Sequence, residues 1–309
     1  MEWRAWAAGV VVFGLGAVGA PAAAKGAARA FDFNGDGLRD RAVGKPEAKV
    51  GEVPYAGTVV VTYGRDKRKK QVISRASKGV PGRPGVDAFG GSVASADFDR
   101  DGFADLAVSA RPDQDGLSPD TVIVYGGRKG LTSRTLRILF AGDLAVADFA
   151  KDRRPDLVVL GDEQWGVFQN PRRGHVRGVR HELGVTRSLE FHTDVRLYLK
   201  DFSGDGRPDL ALVTGASEGV PPFHAVRFAL GTARGLGAVR SLAAAENPSA
   251  VRDVNGDGRR DLVATRPSGN APYEPSGELL VYLGAPAGLK APVTVPGAFP
   301  LADVDFSAL

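Results

Sequence analysis

From about residue 30 onward the chain alternates short apolar stretches with tight polar turns. Thr58–Tyr63, Ser92–Ala96, Leu144–Ala147, Asp209–Val213 and Glu278–Leu283 run four to six residues each and are bounded by Gly, Pro, Asp or Asn. Segments so short, punctuated so often, predict strands and not helices. An all-β fold is expected.

The turns are not arbitrary. A nine-residue acidic segment recurs as Asp32-Phe33-Asn34-Gly35-Asp36-Gly37-Leu38-Arg39-Asp40, then from Asp97 to Asp105, from Asp201 to Asp209 and from Asp253 to Asp261. A worn copy runs from Asp148 to Asp156, and a sixth start, Asp303-Val304-Asp305, reaches the end of the sequence. The first aspartates of successive copies stand 65, 51, 53, 52 and 50 residues apart. Such a period holds four short strands with their turns. One strand precedes each loop, a second follows it, a third comes after a Gly/Pro-rich turn (Thr121–Tyr125, Ala225–Leu230), and a weaker fourth closes the unit (Ala291–Val295). The expectation is a β-propeller of about five four-stranded blades, with a possible incomplete sixth, in one domain over 25–309. The longer first interval places an enlarged loop within 64–91.

Each loop packs at least three carboxylates into nine residues, which repel one another unless a cation is present. Calcium takes six to eight oxygens, and alternate inward side chains plus one backbone carbonyl can supply them. Position 6 is Gly in four copies, where a sharp turn demands positive φ. Position 7 varies, as expected if only its carbonyl binds. The helical calcium loop needs Glu at position 12, but Val43, Val108, Leu212 and Ala264 stand there. The acid falls at position 9 and a strand begins at once, so a strand-loop-strand site is expected, against the plainer reading that Asp, Asn and Gly are common turn residues.

The stretch Phe89-Gly90-Gly91-Ser92-Val93-Ala94, the loop Asp97–Asp105 and Leu106-Ala107-Val108-Ser109-Ala110 together resemble the FG-GAP repeat of integrin α-chain propellers and bacterial secreted proteins. The resemblance implies that the loop joins the two inner strands of a blade and binds calcium. Carried over, the ligands would be Asp32, Asn34, Asp36, Asp40 and the Leu38 carbonyl. Equivalent sets would be Asp97, Asp99, Asp101, Asp105 and the Phe103 carbonyl; Asp201, Ser203, Asp205, Asp209 and the Arg207 carbonyl; and Asp253, Asn255, Asp257, Asp261 and the Arg259 carbonyl. About four Ca2+ sites result. The Phe-Gly half stands clearly only in the second repeat.

The second loop, with four carboxylates, is expected to bind tightest. The third has Ala150 at position 3 and Arg153 at position 6, so no metal is expected there; Lys151 or Arg153 is expected among Asp148, Asp152 and Asp156 instead. The 299–306 stretch either completes the ring with the first repeat or begins a sixth blade; closure is the reading adopted.

Composition adds compartment and partners. Arg4, the apolar run from about Trp6 to Ala20 and Ala22-Ala23-Ala24 read as a secretory signal peptide over 1–24, cleaved after Ala24. No later segment approaches ~18 consecutive apolar residues. The chain has no Cys, so an exported domain draws no stability from disulfides and metal is the candidate substitute. A net charge of +4 and a pI near 9.3 carry little information about a partner. The basic cluster Arg65–Lys70 is read as a solvated hairpin tip. Gly14–Gly19 fits G-x-G-x-x-G inside the signal peptide, and Gly215-Ala216-Ser217-Glu218-Gly219 fits G-x-S-x-G with Pro221-Pro222 where a helix is required. His175, His181, His192 and His224 lack metal spacing. Trp165 is read as a core aromatic over a sugar platform.

Two functions stay open: a secreted, non-catalytic, monomeric binding module for a glycan, protein or cell-wall polymer, or a secreted hydrolase on the same scaffold. No nucleic acid partner is expected.

Overall fold

The computed structural model describes residues 28–64, 66, 68–110, 119–183, 195–214, 225–242, 246–265 and 278–296. The expected 1–24 signal peptide with its glycine motif, Arg65, Lys67, the G-x-S-x-G match, His192, His224 and the 299–306 stretch lie outside them. The described residues are all-β and fall into two compact units. One takes in the described residues between 28 and 148 and between 153 and 182, the other those between 149 and 152 and between 183 and 296.

The first unit holds three sheets. Strands β1 (Arg41–Lys45), β2 (Thr58–Thr62) and β3 (Lys70–Ile73) form the first, β4 (Ser92–Ala96), β5 (Asp105–Ala110), β6 (Asp120–Val124) and β7 (Thr135–Ile138) the second. The third is β8 (Asp143–Ala147), β9 (Asp156–Leu160), β10 (Gln164–Arg172) and β11 (His175–Glu182). In the other unit β12 (Val195–Lys200), β13 (Asp209–Thr214) and β14 (Ala225–Ala229) are followed by a ribbon of β15 (Gly231–Thr232) and β16 (Gly235–Leu236). Strand β17 (Arg240–Leu242) then returns to pair with β14. The last sheet is β18 (Glu246–Arg252), β19 (Asp261–Thr265), β20 (Glu278–Tyr282) and β21 (Val293–Pro296). Every pairing is antiparallel between neighbours in sequence within its sheet, so each sheet is a meander built from a contiguous piece of chain.

The apolar runs without alternation are explained by burial on both faces. All residues of β5, β6, β9 and β13 are buried. Leu106, Val108, Val122 and Val124 pack with Val59, Val61 and Tyr63 of the first sheet. Their sequence neighbours Ala107, Ile123 and Tyr125 point the other way, onto Leu144, Leu157 and Val159 of the third. In the second unit Ala211, Val213 and Phe228 meet Leu262, Ala264 and Tyr282 in the same manner. The outermost strands β3, β7, β11, β17 and β21 each carry exposed residues, which is why their sequence signal is weak.

The insertion after β3 is pinned by a buried cation. The Arg75 guanidinium, side chain 5% exposed, donates to Asp87 at 2.8 Å, to the Pro81 carbonyl at 2.8 Å and to Asp120 at the start of β6, and lies over the Phe89 ring. Arg137 of β7 also donates to Asp120. Losing one partner of such a buried cluster would strand an unpaired charge.

Candidate metal loops

Four acidic loops join the first two strands of a sheet: β4 to β5, β8 to β9, β12 to β13 and β18 to β19. The first copy leads into β1 from residues 28–31, which are not a strand. The strand begins at the ninth residue in the second to fifth copies and one residue later in the first.

One backbone turn serves all five. Position 6 has positive φ as expected: 81° at Gly37, 89° at Gly102, 82° at Gly206, 85° at Gly258. Position 4 does too, at Gly35, Arg100, Gly204 and Gly256. In the worn third loop Lys151 (55°) and Arg153 (64°) take the same left-handed conformation with full side chains. The turn is closed by the first aspartate, whose carboxylate accepts the position 6 N–H in every copy: Gly37 to Asp32, Gly102 to Asp97, Arg153 to Asp148, Gly206 to Asp201, Gly258 to Asp253. The fifth aspartate accepts the position 7 N–H in the four complete loops.

The ninth aspartate is a cross-brace, and sequence reasoning missed this half of its role. One of its oxygens accepts the position 2 N–H: Phe33 to Asp40, Phe98 to Asp105, Phe202 to Asp209, Val254 to Asp261, at 2.8 to 2.9 Å. The other accepts an N–H from a later strand or just past it, from Gly64 after β2, Gly126 after β6, Asn170 within β10, Gly231 after β14 and Gly284 after β20. Four of these donors are glycine because the backbone passes close to the loop: a Cβ on Gly126 would come within 2.2 Å of the Ala104 carbonyl, and on Gly231 within 2.3 Å of that of Pro208. The phenylalanine of position 2 is buried in all four loops that have it.

Burial sets the electrostatics. It pushes Asp40, Asp209 and Asp261 above the usual carboxylate range, against the backbone N–H bonds each accepts. Asp105 is wholly buried and is pushed up to about 8 by that burial, with the charges of Asp99 and Asp97 adding to the effect. Asp97, Asp99 and Asp105 are also the one acidic group among the described residues whose ligand atoms gather within 4.8 Å of one another. Oxygens ~2.3–2.6 Å from a calcium ion lie at most about 5 Å apart, so this donor set fits the ion.

Arginines rest on the other carboxylates. Arg134, over the Tyr125 ring, donates to Asp99 at 2.7 Å and lies 3.7 Å from Asp101. Arg207 pairs with Asp205 at 3.1 Å, and the two bonds from Arg207 outweigh burial to hold that carboxyl below its ordinary range. Arg259 stands 3.5 Å from Asp257 and donates to the Ser203 carbonyl. In the first loop the Asn34 amide donates to Asp36. In the third loop the Lys151 ammonium lies over Gly206 of the fourth loop, close enough that a Cβ there would meet it at 2.5 Å.

The remaining candidates resolve as structure. Trp165 is fully buried and stacks on His181 at 4.4 Å, so no sugar can reach its face. His175 and His181 sit on β11. The described part of the basic cluster caps the β2–β3 hairpin, with the Lys69 ammonium over Tyr63 and bonded to the Lys129 carbonyl.

Four-stranded antiparallel meanders, each carrying an acidic turn between its first two strands, define a propeller-like repeat protein. The family model of the FG-GAP repeat matches residues 89–117, which take in the Phe89-Gly90-Gly91 turn, β4, the second loop and β5. No curated protein sequence matches the chain. Among solved structures an Agrocybe aegerita lectin, described by its specific recognition of non-reducing terminal N-acetylglucosamine, is similar at 17% identity. That match covers 88% of this chain and 71% of that one, with a TM-score of 0.42. A Photorhabdus luminescens Tc holotoxin pore is similar at 15% identity over 89% of this chain and 13% of that one, with a TM-score of 0.28. Likenesses this weak leave the fold to be read from the sheets and loops themselves.

Proposed function

We propose that the chain is a calcium-stabilised β-propeller of about five blades, exported by its 1–24 signal peptide, that works as a non-catalytic binding module for an extracellular glycan, protein or cell-wall polymer. The observation that carries the calcium part is the convergence of Asp97, Asp99 and Asp105 inside the FG-GAP repeat. The same turn, braces and ligand types recur in the first, fourth and fifth loops. There Asp32, Asn34, Asp36 and Asp40, Asp201, Ser203, Asp205 and Asp209, and Asp253, Asn255, Asp257 and Asp261 would hold the ion, completed by the position 7 carbonyls of Leu38, Arg207 and Arg259. The third loop, with Ala150 and Arg153, would hold none.

Bound calcium would neutralise carboxylates that burial already disfavours as anions. At extracellular affinities of ~0.1–1 mM each filled site contributes on the order of 1 kcal/mol at millimolar calcium. Thermal melting in calcium against melting in chelator tests this: the midpoint should fall by several degrees in chelator, and an unchanged midpoint would refute a structural role for the ion. The binding role is tested by capture on immobilised glycans, proteins and peptidoglycan alongside esterase, phosphatase and glycosidase assays. Turnover abolished by one side-chain change outside the loops would replace the module with an enzyme.

A further inference from the structure

The outermost strands of four sheets are short: β3 has four residues, β7 four, β17 three and β21 four. Strand β11 has eight, and from Val176 to Arg180 every residue is exposed. It pairs with β10 on one side only, and among the described residues no strand covers its other edge. Sheets usually keep such edges short, because a row of unpaired N–H and C=O groups is a template for another strand.

This edge also carries a one-sided run of charge. Residues 172–181 read Arg-Arg-Gly-His-Val-Arg-Gly-Val-Arg-His, with four arginines, two histidines and no acid. Val176, 43% exposed, lies on the same face of the strand as Arg180, and Val179, 59% exposed, on the opposite face with Arg177. Beside the strand an open cleft of about 470 Å³ runs to β7, walled by Arg137, Leu139, Val176 and Arg180 over a floor of Ile138 and Phe168. Arg180 is fixed across it by a 2.8 Å bond to the Leu139 carbonyl and by the Phe140 ring.

We propose that β11 is the docking edge for an acidic, extended peptide segment that adds to the third sheet as an outer strand, its carboxylates on Arg177 and Arg180 and its aliphatic side chains on Val176, Val179 and the cleft. Three features select this occupant. A free strand edge satisfies a peptide backbone residue by residue and offers a sugar nothing equivalent. The arginines demand a carboxylate-bearing partner and oppose a second copy of the same edge, which would bring four more arginines. Each face of the edge offers one aliphatic and one cationic contact, Val176 with Arg180 and Val179 with Arg177, which suits the two-sided side chains of an extended strand. The proposal rests on the binding-module reading and names its partner class.

The test uses the whole chain in calcium with a labelled octapeptide repeating Glu-Val-Thr, which matches the three-residue spacing of Val and Arg along β11. Saturable binding is expected that weakens about tenfold or more when salt rises from about 0.05 M to about 0.5 M, and by a similar factor in Arg177→Glu. Arg177 is exposed, and an unchanged melting midpoint verifies that the variant folds. Hydrogen exchange should slow at alternate amides of β11, and a peptide with proline at every second position, lacking those N–H groups, should not bind. Absence of saturable binding, equal binding of the proline peptide or of an acidic polysaccharide, or protection elsewhere than β11 would each overturn the proposal. A ligand captured equally by wild type and Arg177→Glu would leave the module reading standing while removing this edge from it.

Discussion

Arg153 shows how firmly the loop is imposed on its residues. A non-glycine side chain at φ 64° costs of order 1 kcal/mol or more, yet the turn keeps its shape, closed by the Arg153 N–H on Asp148. Arg153→Gly is therefore expected to stabilise the protein by about 1 kcal/mol, read as a raised urea midpoint at constant slope; a lowered midpoint would mean that the arginine side chain contributes more than its backbone loses. The need for glycine at position 6 was legible in the sequence because four copies share it. The same need at position 4 was not, because Arg100 and Lys151 occupy it in two copies and accept the strain.

At the scale of the element, strand order and the place of every acidic loop follow from apolar runs of the right length between turn residues. What the sequence hid is the tie between each loop and its third strand. The partners of the ninth aspartates Asp40, Asp105, Asp209 and Asp261 lie 21 to 24 residues downstream, and a glycine after a strand looks like any other turn. Gly126→Ala measures that tie. Its Cβ would meet the Ala104 backbone, which cannot give way as a flexible side chain could, so a loss of about 1–3 kcal/mol is expected in urea denaturation. A neutral effect would show that β6 can shift without disturbing the loop. The length of β11 was hidden for a different reason: its residues carry no apolar run, and only pairing in register with β10, Trp165 opposite His181 and Val167 opposite Val179, draws them into a strand.

Across the molecule the buried aspartates would couple the proposed calcium to protons. Asp105, pushed up to about 8 from an unfolded value near 3.9, binds more protons in the native state than in the unfolded one between those two values. Its contribution to stability is therefore full below about pH 4 and is lost as pH rises through about 8; Asp40, Asp209 and Asp261 shift in the same direction. Calcium takes the deprotonated carboxylate. In chelator the melting midpoint should fall from pH 5 to pH 9, the span that brackets these shifts, while in saturating calcium this fall should be absent. Calcium uptake near pH 7 should also release roughly one proton at the second loop, measurable by titration in buffers of different ionisation heat. A midpoint that responds to pH identically with and without the ion would remove Asp105 from the binding set.

The third loop holds the shape of the others without their full set of ligands, which would make the proposed dependence on calcium a matter of dose. A turn stored in hydrogen bonds to its own first aspartate can lose an occupant and remain a turn. Starvation of the ion would then weaken the protein by instalments, one loop at a time, where a fold organised around a single indispensable ion would fail at a threshold.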